Sequence, residues 1–401
     1  MVELEEAVAR ILAATPPPST ERVALDAAHG RILTEQVRSP IDLPIFDNSA
    51  MDGYAVRAAE VASAGAQTPV RLRLAGRIAA GEAFDGEMPT GACVRLFTGS
   101  PLPHGADAVV MQEDTRVQSE APAEIQILSP VQSGDNVRFR GEDVPAGAVL
   151  VEPGERLTAG RIGLLAATGL REAGVGRRPV AGLLATGSEL REPGQALRPG
   201  QIYESNRLAL AALARRAGAV PRVFPLVADS LEVTKGRLQE ALSECDVVVS
   251  SGGVSVGEMD FIKPALREIG GELEYWKVAI RPGRPFVFGQ WRQKLFFGLP
   301  GNPISALVTF LLLVRPALRR WQGARNVTLE GHAGVLAEPL ANPGERRHFM
   351  RVKLDAAQNV FSAGLQASHA LRSAGEANGL VDVPPQTVWK TGTTVQVMRW
   401  E

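Results

Sequence analysis

The stretch Asp246-Val-Val-Val-Ser-Ser-Gly-Gly-Val-Ser-Val-Gly-Glu-Met-Asp260 runs from an apolar segment straight into a glycine-rich polar loop, and Asp260-Phe-Ile-Lys263 opens the helical pattern that follows. A strand over Asp246–Val249 that ends this way has the form of the carboxyl edge of an open α/β sheet. Ligands bind there, because glycine lets backbone amides approach an anion. Gly252, Gly253 and Ser255 are the loop positions expected to meet such a ligand.

Outward from this stretch, short apolar strands alternate with amphipathic helices: Val180–Leu184, a helix from Asn206 to Ala217, Arg222–Leu226, and a helix over Leu231–Glu244. That alternation predicts a parallel sheet covered on both faces. A helix over Ile262–Ile269, strands at Phe286–Gly289 and Lys294–Phe297, and a closing helix over Pro303–Arg320 complete the domain. The first of these strands also ends in a polar loop, Ala185-Thr-Gly-Ser-Glu-Leu190, so two such loops are expected to share one edge of the sheet.

Three further segments concentrate chemistry on that edge. Trp276-Lys-Val-Ala-Ile-Arg-Pro-Gly-Arg-Pro285 places Lys277, Arg281 and Arg284 around a forced Pro-Gly turn, an arrangement suited to phosphate or another oxyanion. Gly298-Leu-Pro-Gly-Asn-Pro303 offers amides at a helix start, with Asn302 at the cap position and Pro303 in the first turn. Acidic residues recur at the loop ends: Glu189, Glu204, Asp229, Glu258 and Asp260. Carboxylates so placed can hold Mg²⁺; helix capping is an equal reading for Asp229, while for Asp260 the functional reading is preferred to capping.

Around this domain, Met1–Ala14 reads as an amphipathic helix and Leu25–Leu33 as a second short one. Ser39–Gly141 reads as a β-rich unit of short apolar runs broken by Gly and Pro, Arg161–Gly169 as helix again, and the tail from Val327 as a small β domain. The boundaries expected are a split helical domain at 1–38 and 142–177, an inserted β-rich domain at 39–141, the α/β domain at 178–323 and a β domain at 324–401.

With 401 residues, 45% hydrophobic and 22% charged, the chain can bury a core in each domain. Its 43 basic and 44 acidic residues balance to a net charge of -1, which removes the broad positive field of a general nucleic-acid binder. The longest apolar stretch, Ile304–Val314, is shorter than the roughly 20 residues of a membrane span. Cys93 and Cys245 lack zinc or disulfide spacing, and the start of the chain lacks the basic, apolar form of a signal peptide. A cytoplasmic protein is expected.

Taken together, Ser49-Ala-Met-Asp-Gly-Tyr-Ala55, Phe97-Thr-Gly99, Gly141-Glu-Asp143, Ala185-Thr-Gly-Ser-Glu189, the loop Ser250–Asp260 and Gly298–Pro303 resemble the molybdopterin molybdenumtransferase family, in its order and over nearly the whole chain. The resemblance implies a split helical domain, an inserted β domain, an α/β domain akin to molybdopterin adenylyltransferase and a C-terminal β barrel. It implies insertion of molybdate into adenylylated molybdopterin with Mg²⁺-dependent hydrolysis of the adenylate. It also implies a homodimer in which the β insertion of one subunit completes the α/β site of the other, with molybdopterin adenylyltransferase or a later cofactor-handling protein as partner.

By the same resemblance, Asp52, Asp143, Glu189, Asp229 and Asp260 form the acidic and metal-binding set, with Thr98 at the facing loop. Lys277, Arg281, Arg351 and Ser368 match positions that would bind molybdate or substrate phosphate, and Pro300 and Pro303 hold the adjacent loop. Two departures stand out. Arginine occupies positions 281 and 284, where the family often has lysine, and Ser188 stands where an aspartate is frequent, so no metal role is expected of Ser188. A non-catalytic scaffold and a tungstate-inserting enzyme are the competing readings.

Overall fold

The computed structural model describes residues 1–79, 81–117, 123–253 and 260–400. The chain divides into two compact units, one of residues 1–35, 153–157 and 173–401, the other of residues 36–152 and 158–172.

In the first unit, α1 (Leu4–Ala14) precedes β1 (Val180–Ala185), α2 (Asn206–Arg216), β2 (Val220–Val223), α3 (Leu231–Glu244), β3 (Val247–Ser251), α4 (Ile262–Glu268), β4 (Glu272–Lys277), β5 (Ile280–Arg281), β6 (Pro285–Trp291) and β7 (Lys294–Leu299). Six of these strands form one sheet in the order β2-β1-β3-β7-β6-β4. The pairs β2–β1, β1–β3 and β3–β7 are parallel, whereas β6 and β4 add antiparallel pairings. The expected parallel sheet thus carries an antiparallel extension, because β6 and β7 are a tight hairpin with no room for a crossover helix.

Side chains along each strand alternate between two cores. Leu183, Val247, Val249, Phe286 and Phe297 pack on one face, against α2 and α1. Leu184, Val248, Val287 and Phe296 pack on the other, against α3 and α4. Both faces are covered, as the runs of apolar residues require.

The strand β3 runs two residues beyond its expected end, so Ser250 and Ser251 are buried strand residues. Asp246 lies before it and accepts two hydrogen bonds from Arg177, at 2.8 and 2.9 Å, and one from the Val180 amide. The closing helix comprises α5 (Pro303–Thr309), a π turn at Phe310–Val314 and α6 (Arg315–Trp321). Pro316 has no amide to donate, and the turn before it widens accordingly.

The strands β8 (Glu330–Leu336), β9 (Arg347–Leu354), β10 (Asn359–Ser362), β11 (Gly379–Val383) and β12 (Thr394–Arg399) close into a five-stranded barrel through the β9–β11 pairing, with α7 (Leu371–Glu376) between β10 and β11. Met350, Val352, Val381 and Val397 fill the barrel. The short strand β5 joins it in parallel, with Ile280 beside Arg347 and Arg281 beside His348.

The segment read as a second short helix is mostly extended. Leu25–Ala27 make one 3-10 turn, and Ile32 and Leu33 form bridges to Arg156 and Val175. Its apolar residues match helical spacing only because alternate sides of an extended chain are both covered.

The second unit holds a six-stranded sheet whose central strands are Gly53–Val56, Ala92–Leu96 and Val70–Ile78. Gly53 is required there, because a Cβ would lie 2.1 Å from the carbonyl oxygen of Val110. The expected helix near Arg161 spans Ala159–Ala167, with the Thr158 hydroxyl capping the Arg161 amide. Among the described residues no helix is long and apolar enough to cross a membrane.

Candidate functional site

The carboxyl ends of β1 and β3 and the loop after β7 surround a cavity of about 810 Å³. Its floor is Ala185–Gly187 and Ser251–Gly253, one wall is Tyr203–Asn206, another is Pro300–Pro303, and His369 and Leu371 close it from the barrel side. The edge expected from sequence is therefore a pocket, of a volume that suits a small organic substrate.

Backbone conformation shapes the floor. Gly252 and Gly253 have φ of 84° and 71°. A Cβ on Gly253 would lie 2.5 Å from Ile262 Cγ1, and one on Gly252 would lie 2.9 Å from the Thr186 carbonyl oxygen. Gly253→Ala is expected to cost on the order of 2 kcal/mol in unfolding free energy, from left-handed backbone plus the clash; denaturant titration measures it.

Hydrogen bonds stitch the loops together. The Gly252 amide donates to the Leu299 carbonyl at 3.1 Å, and the Thr186 amide to that of Ser251 at 3.3 Å. Asn206 Nδ2 donates to Ser251 Oγ at 2.6 Å and to the Gly301 carbonyl at 2.8 Å, tying the start of α2 to two of the loops.

Three carboxylate residues line this cavity, Glu189, Glu204 and Asp229. Asp229 accepts a 2.8 Å hydrogen bond from the Ser188 amide, while its own amide donates to Ser188 Oγ at 3.3 Å. It does not cap α3, whose cap residue is Ser230. Glu189 folds back over Gly187, its carboxylate 2.6 Å from where a Cβ would stand. Glu204 is consumed structurally: it is 3% exposed and accepts from the amide and Nε of Arg207, each at 2.9 Å.

Asp260 is not among the residues that line the cavity. Both its carboxylate oxygens are buried outside normal hydrogen-bond geometry to any described residue, with Lys263 Nζ 3.7 Å away. Burial pushes its carboxyl up to about 6, against the pull of Lys263 and the Ile262 amide. Ser255 lies outside the described residues. Among the described residues no three His, Cys, Asp or Glu side chains gather closely enough to hold a metal ion; of the expected acidic set, Glu189 and Asp229 are the pair that one cavity brings together.

Of the expected anion-binding residues, Gly252, Gly253, Pro300, Asn302 and Pro303 line the cavity, whereas Lys277, Arg281, Arg284, Arg351 and Ser368 do not. The basic turn reaches it through Pro285, and the barrel through His369, next to Ser368, whose carbonyl accepts from the Ile304 amide at 3.1 Å. The turn is part of a larger basic cluster. Arg346 Nη1 donates to the Ile280 carbonyl at 2.8 Å, and burial together with Arg284 and Arg281 holds the Arg346 guanidinium below its usual range. His348 is 3% exposed, and burial, then Arg281, Arg351 and Arg346, push it down to about 4, so it is neutral at physiological pH. Positive charge thus repels positive charge here, the condition under which an anion is welcome.

Arg351 requires correction as an anion contact. It is 0% exposed, and its guanidinium donates to Ser373 Oγ at 2.8 Å and to the carbonyls of Leu365 and Ala367 at 2.7 and 3.3 Å. It anchors the loop that carries Ser368 and His369.

In the second unit, Asp52 Oδ1 accepts from the Thr98 amide at 2.7 Å and from the Thr98 hydroxyl at 2.8 Å. Those bonds, amide first, hold the exposed carboxyl of Asp52 below its usual range, with Arg95 adding to the effect. The Arg95 guanidinium lies over the rings of Tyr54 and Phe97, 4.9 and 5.4 Å from their centroids. Asp143 is exposed, and its amide donates to the Leu43 carbonyl at 3.1 Å.

Tyr203, Asn206, Arg346, His348 and His369 were not legible as site residues. The run Arg346-Arg347-His348 entering an apolar barrel strand was the one available signal; the others reach the site through tertiary structure.

Three family models cover most of the chain: "MoeA N-terminal region (domain I and II)" over residues 2–169, "Probable molybdopterin binding domain" over 182–320 and "MoeA C-terminal region (domain IV)" over 333–400. The molybdopterin molybdenumtransferase of Haemophilus influenzae is 37% identical over 384 residues, spanning 94% of this chain and 93% of the relative. Molybdopterin molybdenumtransferase 2 of Mycobacterium tuberculosis is 39% identical over 402 residues, spanning 98% of each. The solved molybdopterin biosynthesis MoeA protein of Pyrococcus horikoshii superposes with a TM-score of 0.85 at 34% identity, covering 100% of this chain and 99% of that one.

Proposed function

The chain belongs to the molybdopterin molybdenumtransferase family, and from that premise we propose that it inserts molybdate into adenylylated molybdopterin, with hydrolysis of the adenylate and release of AMP. The observation that carries this reading is the cavity itself, lined by Glu189 and Asp229 and reached by the basic turn through Pro285. Few other substrates call for both at once: a phosphate-bearing organic molecule and a separate small oxyanion.

Within this reading, the amides of Gly252, Gly253, Gly301 and Asn302 receive the pterin and its phosphate, and the cavity walls hold the adenylate in place. Lys277, Arg281, Arg284 and Arg346 collect molybdate. Ser368 and His369, held by Arg351, border its path.

Mg²⁺ would sit on Glu189 and Asp229. Two hard carboxylate oxygens facing an open cavity fit an ion that keeps several waters and shares substrate phosphate oxygens. When bound, it would neutralise charge on the phosphoryl group that parts from AMP. Glu189→Gln is expected to lower molybdate-dependent AMP release on the order of 100-fold, measured with adenylylated molybdopterin. AMP release that needs no divalent ion and is unchanged by Glu189→Gln would falsify the assignment.

We also propose a cytoplasmic homodimer in which Asp52 and Thr98 of one subunit complete the cavity of the other. The support is chemical: a surface carboxylate, with exposed Met51 preceding it in the chain and exposed Phe97 preceding its partner Thr98, has the polar and apolar character of an interface. Sedimentation should give twice the chain mass, and Phe97→Glu with Met51→Glu should give monomer lacking activity. A monomeric wild type sinks this assembly.

A further inference from the structure

Lys277, Arg281 and Arg284 are all exposed and carry one sign of charge, so their side chains repel and the backbone must fix where they stand. Three backbone links do so. The Val278 amide donates to the Arg284 carbonyl at 2.9 Å, closing the turn on itself. Val2 forms a parallel bridge with Val278: its amide donates to the Lys277 carbonyl and its carbonyl accepts from the Ala279 amide, each at 2.9 Å. Ile280 stands beside Arg347, where β5 meets β9.

Arg347 ties the last two links together. Its Nη1 donates to Glu5, in the first turn of α1, at 2.6 Å. Its Nε donates to Asp382 of β11 at 3.0 Å, and Nη2 donates to the same carboxylate. The guanidinium lies over Phe349, 5.5 Å from the ring centroid. One planar fork thus joins the helix that follows Val2, the barrel, and the strand paired with β5. The helix is itself fixed to β4, the strand that runs into the turn: Arg10 donates to Glu274 at 3.2 Å and lies 5.8 Å from the centroid of the Trp276 ring. A partly exposed ion pair adds little to global stability. What this one adds is geometric, because α1 and the barrel cannot slide past one another while both carboxylates hold the same guanidinium.

We propose that Arg347, clamped by Glu5 and Asp382, is a positioning residue for the oxyanion: it keeps the links through Val2 and Ile280 in register, so that the turn presents Lys277, Arg281 and Arg284 together. The proposal rests on the reading that this turn collects molybdate. Arg347 itself makes no contact with the anion, since carboxylates occupy both sides of its fork.

The test uses the full-length protein with molybdate and adenylylated molybdopterin. Arg347→Met should raise the KM for molybdate about fivefold, leave kcat and the KM for adenylylated molybdopterin unchanged, and speed amide exchange over residues 278–284. Glu5→Gln, at a side chain that is 69% exposed, should move both readouts in the same direction, the KM by about twofold, and keeps the test decisive if Arg347→Met fails to fold. In a folded Arg347→Met protein, adding Glu5→Gln should change nothing further, because the two act through one contact. Lost stability with an unchanged molybdate KM, or equal effects on both substrates, overturns the proposal. A wild type whose AMP release ignores molybdate overturns the function proposed above; failure of the clamp alone shows as a molybdate-dependent wild type and variants that match it.

Discussion

Asp260→Asn is expected to yield a protein that is more stable than the wild type at pH 8. The Asp260 side chain is 7% exposed, and burial pushes its carboxyl up to about 6. A folded value above the ordinary 3.8 means that the native state binds a proton more readily than the unfolded chain between those two values. Stability therefore falls as pH rises through that window, and the penalty is complete above it. Removing the ionisable group should return on the order of 2 to 3 kcal/mol at pH 8, a gain that shrinks as pH falls through 6 and vanishes near pH 4. Denaturant titrations of both proteins at pH 4 and pH 8 measure the difference. Equal stability at pH 8 would show that Asp260 is paired in solution.

Arg351→Met is expected to raise the KM for molybdate about tenfold while leaving kcat nearly unchanged. The side chain holds Ser373 and the carbonyls of Leu365 and Ala367, so its loss frees the loop that presents Ser368 and His369. Stability should fall less than three lost bonds imply, about 2 kcal/mol, because burial already pushes this guanidinium down to about 10, which marks a costly charge. Arg351→Lys should not rescue, since one ammonium cannot span three acceptors fixed by a planar fork. Amide exchange over residues 364–369 supplies the discriminating readout. Faster exchange in the variant is expected; unchanged exchange with weakened molybdate binding would make Arg351 a direct anion contact.

The parts of the fold legible in sequence were those written in local chemistry. The strand expected at Asp246–Val249, which runs over Val247–Ser251, and the turn around Pro282-Gly283 could be read because an apolar run meeting glycine, or proline fixing a turn, has few other outcomes. The error at Leu25–Leu33 arose where periodicity was short and burial came from both sides. In the site, Glu189 and Asp229 were legible as loop-end acids. Glu204 looked equivalent, and only the structure shows Arg207 holding its carboxylate. His369 and Asn206 had no local signal, because their positions depend on how the barrel and α2 close over the sheet. Asp52 and Thr98 were singled out by family resemblance, and the structure brings them into direct hydrogen bonding.

The short strand Ile280–Arg281 connects two segments of the α/β sheet but pairs with the barrel. The barrel is thus no appendage that can be trimmed or exchanged as a cassette. A chain ending at residue 323 would leave this strand with an unpaired edge and the basic turn without the rail that sets its height. Swapping barrels between relatives would therefore retune oxyanion affinity even with every charged residue of the turn left in place.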